Sequence, residues 1–262
     1  MSRNISLSSS TKIIASIAIF AALFAVLRRM DTIPMIGVQG ASFSLSDILP
    51  PIYGIVLGPF TGGISVIIGT FLGIALGKPV SFLFLDFLPA FVNTVAIGLL
   101  VRRKWWPAVL LYVALLVAFL VNPLTSIFID VGGVALPFAW LHIVAFIVLL
   151  SPLGRKAGQW VESLKPVLLA SGIAILAFIG TMMQHLMGNI LFEVVLNQFY
   201  VLLGQGPIVA TTAYSGIWSV TFFLYPWERL MLVLLAVIVG VPLVRVLKKT
   251  FFRSEKQLMP ET

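Results

Sequence analysis

The sequence contains no cysteine and few charged residues. Of its 262 residues, 10% are charged and 60% are hydrophobic. The absence of cysteine excludes disulfides, thiolate catalysis and metal sites with cysteine ligands. So little charge also excludes a soluble domain of this size, which needs a polar surface toward water. The mean hydropathy of +1.11, with several apolar runs near the length of about 20 residues that crosses a bilayer, predicts a polytopic membrane protein.

The sequence also lacks the motifs of several enzyme classes. It has no G-x-x-x-x-G-K-[ST] nucleotide-binding loop, no G-x-S-x-G and no H-E-x-x-H. We therefore predict that the chain is not an enzyme and holds no catalytic residue, metal or cofactor. Its two histidines, His142 and His185, are the minimum for bis-imidazole haem ligation, but the predicted segments place them at different depths. The net charge of +8 does not predict nucleic-acid binding, because no soluble basic domain is present to carry it.

Eight apolar segments predict an all-α fold, a polytopic transmembrane helical bundle of about 6–8 helices with short, glycine-rich second and third helices. The second segment is too short to cross a bilayer at about 1.5 Å per residue. It is either a tilted or kinked span, or half of a re-entrant hairpin with the third segment. The polar start shows no cleavage site, which predicts a retained first helix. The segments are Thr11–Leu27, Asp47–Leu57, Thr61–Leu76, Phe82–Val101, Pro107–Val121, Ala135–Leu150, Val167–Phe192 and Leu230–Leu247.

The basic residues predict the orientation of the bundle. With a cytosolic N-terminus, only Arg28, Arg29, Lys78 and Arg229 of the 17 lysines and arginines fall on the outer side. The positive-inside rule then predicts a multi-pass protein of the cell membrane with both termini cytoplasmic. The cytosolic set is Arg3, Lys12, Arg102, Arg103, Lys104, Arg155, Lys156, Lys165, Arg245, Lys248, Lys249, Arg253 and Lys256.

Acidic residues are concentrated on the other side. Six of the nine fall in the outer half, and they slightly favour a cationic or neutral polar ligand over an anionic one. These six are Asp31, Asp47, Asp86, Asp130, Glu193 and Glu228.

Between positions 42 and 77, glycines recur every fourth residue in two runs, the first from Gly54 to Gly62 and the second from Gly69 to Gly77. On a helix this spacing places them along one side, where a second backbone can approach closely. We predict that they are helix-packing residues, in particular Gly54, Gly58, Gly62, Gly69 and Gly73.

Residues 197–226 are the least regular part of the sequence. Gly204 to Pro207 interrupt any continuous helix there, and one extra crossing would place the basic C-terminal residues outside. We therefore predict an outer lid or a re-entrant hairpin in this region. No linker divides the chain, so residues 1–262 form one integral membrane domain.

Alanines form a stripe on the first helix. Ala18, Ala21, Ala22 and Ala25 follow Ala15 at helical spacing and make a flat surface that suits packing against a helix of this chain or of a partner.

Three features together resemble the substrate-binding S component of energy-coupling factor (ECF) transporters, which import vitamins and other micronutrients. They are the alanine stripe, the loop with Pro34 and Gly37, and the stretch FSLSDILPPIYGIVLGPFTGGISVIIGTFLG. The resemblance covers roughly residues 11–101 and 225–250. It implies that Ala18, Ala22 and also Ala21 and Ala25 face a transmembrane coupling subunit, and that residues 30–44 close over a substrate. S components commonly have six helices, so the middle of this chain has no assigned counterpart.

Polar side chains inside apolar segments are candidate ligand contacts, because they are costly in lipid. Asp86 and Asn93 share a helix face, and His185, Asn189 and Glu193 follow at steps of four beside Gln184. Bonding between helices, or capping for Asp86, explains them as well. The predicted substrate-binding residues are Asp86, Asn93, His142, Gln184, His185 and Asn189.

The favoured function is a membrane-embedded capture subunit that binds a vitamin-like small molecule in an outward-facing pocket. Since the chain has no nucleotide-binding loop, import requires partner ATPases and a coupling subunit. The alternative is a self-sufficient secondary transporter, a class that often shows repeated halves with broken helices; no clear repeat is visible here.

Overall fold

The computed structural model describes residues 9–163 and 165–251. Its α-helices are α1 (Ser9–Arg28), α2 (Pro50–Ala75), α3 (Leu88–Val101), α4 (Trp105–Leu120), α5 (Trp140–Leu150), α6 (Pro152–Trp160), α7 (Pro166–Glu193), α8 (Phe199–Leu202) and α9 (Tyr214–Phe251). Two short antiparallel hairpins pair β1 (Asp31–Pro34) with β2 (Ser42–Ser44), and β3 (Phe128–Val131) with β4 (Val134–Pro137). Two 3-10 turns (Leu45–Ile48, Thr211–Ala213) and a π turn (Val194–Gln198) complete the described elements.

The prediction of an all-α membrane bundle is confirmed. Four stretches are long and apolar enough to cross a bilayer: Ser10–Arg28, Pro50–Ala75, Pro166–Leu202 and Thr211–Leu247. A fifth span results if α5 and α6, which meet at 71°, are counted together. The chain is therefore a membrane protein with several helices that can span the membrane.

Helix α2 is a hairpin of two limbs that turns at Gly58. This glycine has φ 76° and ψ −178°, a conformation that side chains disfavour, and Pro59 follows it. A Cβ atom at Gly54 would lie 2.9 Å from the Gly98 nitrogen, and one at Gly62 would lie 2.8 Å from the Thr94 side chain. Before the turn, the contacts approach the C-terminal end of α3, and after the turn they return toward its N-terminal end. The two limbs are therefore antiparallel. The second and third predicted segments are thus the two limbs of one bent helix, with the bend at Gly58 beside Arg102.

Glycines also bring α2 against α1. A Cβ atom at Gly69 would lie 2.8 Å from the Ala21 carbonyl oxygen, and one at Gly73 would lie 2.9 Å from Cδ of Arg28. At both positions the missing side chain leaves the space that the neighbouring helix occupies.

Helices α3 and α5 begin later than the sequence predicts. The segment predicted from Ala135 starts as strand β4, and helix α5 begins only at Trp140, because Gly132 and Gly133, both with positive φ, form the turn of a hairpin. The segment predicted from Phe82 likewise becomes helical only at Leu88. Residues 83 and 84 have positive φ there.

The bundle has two chemically different ends. Arg28, Lys78 and Asp86 lie at one, which we call the pocket end, and the α2 turn beside Arg102 lies at the other. Helix α9 is antiparallel to α7, since Arg229 lies beside Thr181 and Gly240 beside Ile173. The described chain therefore starts and finishes on the side away from the pocket end.

Several basic residues predicted to share a side lie at that opposite end: Arg102, Arg103 and Lys104 between α3 and α4, Arg155 and Lys156 in α6, and Lys165 directly before α7. Arg3, Arg253 and Lys256 lie outside the described residues, and Lys248 and Lys249 are described by their backbone alone.

Residues 197–226, for which the sequence predicts a lid or hairpin, divide between several elements. They contain the end of the π turn, α8, an irregular loop with Gly204 at φ 71°, a 3-10 turn and the start of α9. From Tyr214 to Phe251 the chain forms one helix, α9, so the end of this region is part of the last helix.

We expect Gly98→Ala to destabilise the bundle. Its Cβ atom would lie 2.3 Å from the Pro59 nitrogen, and backbone that close must move. Overpacking of this kind costs about 1–3 kcal/mol, measurable as a loss of apparent unfolding free energy in a detergent titration. Gly216→Ala in α9 is the control, because a Cβ atom there meets nothing within 4 Å. Equal stability of the two variants would contradict the close approach.

Candidate functional site

A cavity of about 450 Å³ opens at the pocket end. It is enclosed by the end of α1, the β1–β2 hairpin, the start of α3, the C-terminal part of α7 and the first half of α9. Its volume lies in the range of about 300–1,000 Å³ that is typical of small-molecule sites. Five elements from both halves of the chain thus contribute to one concave surface.

A hydrogen-bonded chain of three side chains crosses the bundle beneath the cavity. Asn93 Nδ2 donates to Gln184 Oε1 at 2.8 Å, and Gln184 Nε2 donates to Asp47 Oδ1 at 2.9 Å. Asp47 also accepts the Ser44 amide at 3.2 Å. Gly180 makes room for this chain, since a Cβ atom there would lie 2.1 Å from Asn93 Oδ1. Gln184 and Asp47 line the cavity, whereas Asn93 lies behind them.

Asp86 lines the cavity as well, but its carboxylate has a structural role in the loop before α3. It accepts the Ser81 amide at 2.9 Å and the Phe82 amide at 3.2 Å. These bonds hold the left-handed turn that delays the start of α3. Arg28 reaches the same carboxylate at 3.7 Å. The N-cap residue of α3 is Phe87 and has no side-chain cap, so Asp86 bonds the loop before the helix and lines the cavity but does not cap the helix.

The two histidines contact each other directly. His142 Nε2 lies 3.0 Å from His185 Nδ1, and the rings are nearly parallel at 9°. Tyr225 stacks on both rings and donates to the Phe138 carbonyl oxygen. His185 lines the cavity and His142 lies behind it. The pair belongs to an aromatic wall, because His142 also stacks on Phe138 and both rings stack on Tyr225. Among the described residues there is no cluster of three or more metal-ligating side chains.

The C-terminal part of α7 contributes the side-chain amide of Asn189 to the cavity. Asn189 lines the cavity, is 6% exposed, and its Nδ2 has no partner among the described residues. Glu193, one turn further on, is buried and accepts from Thr125 Oγ1 at 2.6 Å. Its role is to bond α7 to the residues after α4.

Three important residues, Arg28, Lys78 and Arg229, were not singled out as site residues from the sequence. Arg28 and Arg229 line the cavity and are 8% and 2% exposed. Lys78 donates to the Asp31 carboxylate and to Ser42 Oγ at 2.9 Å, which ties the β1–β2 hairpin across the cavity to the loop after α2. A signal was present: Arg28, Lys78 and Arg229 are three of the four basic residues that the predicted orientation leaves on the outer side.

The alanine stripe of α1 divides between two surroundings. Ala21 and Ala25 are 1% and 2% exposed, within this chain. Ala15, Ala18 and Ala22 are exposed. The second group is the part of the stripe that a partner could contact.

Comparison of the chain with protein-family profiles, with curated proteins and with solved structures finds no match.

We expect Asp31→Asn to loosen the β1–β2 hairpin at neutral pH. Hydrogen bonds from Lys78 and Ser42 lower the pKa of Asp31 below its ordinary value of 3.8. The ion pair therefore stabilises the fold above pH 4 and is lost as the pH falls through the lowered pKa. The difference in melting temperature between wild type and variant should stay constant from pH 8 to pH 5 and shrink below about pH 4. A difference that disappears between pH 8 and 6 would contradict this pair.

Proposed function

We propose that this protein captures a small molecule within the membrane, in the cavity at the pocket end. One observation carries the proposal: buried polar and charged side chains from α1, α7 and α9 converge on a concave surface and leave hydrogen-bonding groups unused. Such groups are costly at membrane depth. A ligand that bonds to them would offset that cost, whereas a purely structural network would bond them to each other.

The β1–β2 hairpin supports the same function. It lies over the cavity and is held by Lys78, which is itself 6% exposed and bonded to side chains of both strands. A cover fixed by a few side chains can open without disturbing the packed helices. Entry and release of a ligand through this side would leave the α1–α2–α3 packing intact.

The chain's partners, in this proposal, are a coupling transmembrane subunit and ATPase subunits. The sequence has no nucleotide-binding loop, so energy must be supplied by other chains. The exposed alanines of α1 offer a surface without large side chains for a partner helix. The resemblance to S components of ECF transporters points to the same arrangement and to a vitamin-like ligand.

Secondary transport is the second candidate, because α2 is broken at Gly58, although this break lies at the end opposite the cavity and no residue of α2 lines the cavity. Discontinuous helices commonly form substrate sites in secondary transporters. Uptake of a stabilising compound by this chain alone in liposomes, driven by an ion gradient, would favour this candidate over a capture subunit.

We expect ligand-induced stabilisation to depend on Asn189. Purified protein is heated with a panel of vitamins and related small molecules, and the compounds that raise its melting temperature are then tested on Asn189→Leu. Loss of a free amide that lines the cavity should reduce the stabilisation by at least half while leaving the unliganded protein as stable as before. Gln205→Leu, in an exposed loop, is the control. If no compound stabilises the protein, the capture function is wrong.

We expect the pocket end to face outward and both chain ends to face the cytoplasm. Because the chain has no cysteine, single cysteines can be placed without a background. Val134→Cys on β4 should react with a membrane-impermeant maleimide in intact cells, whereas Lys156→Cys on α6 should react only after permeabilisation. The reverse pattern would contradict the orientation.

A further inference from the structure

The acidic residues that line the cavity already have hydrogen-bond donors. Asp47 accepts from Gln184 and from the Ser44 amide, and Asp86 accepts two backbone amides. Glu228 accepts from Arg229. These acids are therefore poor receptors for a cationic ligand, although their number in the sequence favours one.

The unused groups in the same cavity are donors. Nε of Arg28 has no partner among the described residues. The contact of this guanidinium with Asp86 joins Nη2 to Oδ1 at 3.7 Å, which is beyond hydrogen-bond distance. Nε of Arg229 and Nδ2 of Asn189 are also without partners in the described part of the chain. All three residues line the cavity, and each is at least nine-tenths buried.

A guanidinium group that is buried but not hydrogen-bonded is costly, and its planar donors match a carboxylate in two parallel bonds. Arg229 already donates to Glu228 and lies over the Phe43 ring at 5.6 Å. Arg28 is the arginine whose donors are less used. It is therefore the group best placed to receive an acceptor from a ligand.

Two further features define the ligand. The basic lining residues Arg28, Lys78 and Arg229 do not outnumber the acids, which are Asp47, Asp86 and Glu228 in the lining and Asp31 beside Lys78. A ligand with one negative charge therefore fits this cavity better than a ligand with two. Much of the remaining wall is apolar or aromatic, with Phe43, Phe82, Phe192, Ile217 and Trp218.

We propose that the ligand is a small molecule with an apolar body and a single carboxylate, and that Arg28 binds this carboxylate with help from Asn189. The proposal rests on the capture function above and specifies the ligand's chemistry. Charge-assisted bonds to Arg28 would fix the carboxylate beside α1, and the aromatic wall would contact the body.

The test uses matched compounds that differ only in one group. Each of several bodies, from short alkyl to indole and larger fused rings, is supplied as the carboxylate, the primary amide and the amine; indole-3-acetate, indole-3-acetamide and tryptamine are one such set. Binding to the purified full chain is measured by thermal shift and calorimetry. We expect the carboxylate of the best-fitting body to bind at least tenfold more tightly than its amide, and the amine to bind more weakly still.

Substitutions separate Arg28 from general effects. Arg28→Gln should abolish the preference for carboxylate over amide, and Arg28→Lys, which keeps the charge without the planar donors, should retain part of it. Arg29→Gln is the matched control, since this neighbour is exposed and does not line the cavity. If Arg28→Gln does not fold, Asn189→Leu replaces it and should reduce the same preference.

The outcomes distinguish the two proposals. Tighter binding of amines or amides would overturn the carboxylate assignment and leave the capture function supported. A carboxylate preference that survives in Arg28→Gln would overturn the role of Arg28. No binding by any compound of the series or of the vitamin panel would overturn both proposals.

Discussion

The close approach of the α2 hairpin to its neighbours is the constraint on which the cavity depends. Apolar helices in lipid gain little from hydrophobic association, so contact between their backbones must hold them together. Gly54 and Gly98 allow that contact between α2 and α3, and Gly69 allows it between α2 and α1. Gly73 then leaves the space that the Arg28 side chain occupies. The same packing that holds the helices together therefore places a buried guanidinium at the edge of the cavity.

Burial of charge explains how the pocket end is organised. Backbone amides bond to Asp86, and Glu228 bonds to Arg229. Lys78, in the loop after α2, bonds to Asp31 on the hairpin. Each arrangement reduces the cost of placing a charge near or within the apolar region. Arg28 is the exception, because its ion pair with Asp86 is longer than a hydrogen bond. The other ion pairs at the pocket end stabilise the fold through hydrogen bonds, whereas the pair between Arg28 and Asp86 makes none.

The sequence predicted the helical bundle well because hydropathy and glycine spacing are local signals. It left open whether the chain reverses at Gly58, because the direction of the second limb is set by its contacts with α3 and α1. It identified the polar residues of α7 but not their partners, because the bonds from Gln184 to Asn93 and Asp47 connect residues far apart in sequence. Arg28 and Arg229 were counted as topology markers. Their place in the cavity depends on the packing of α1 and α9, which no local pattern encodes.

Native mass spectrometry of the protein released from its own membranes tests the central claim most directly. If the cavity is a capture site, the intact protein should carry an organic adduct of a few hundred daltons that ionises as an acid, and Arg28→Gln should carry less of it than Arg29→Gln. A protein that carries only phospholipid, or an adduct whose occupancy is the same in both variants, would contradict the account.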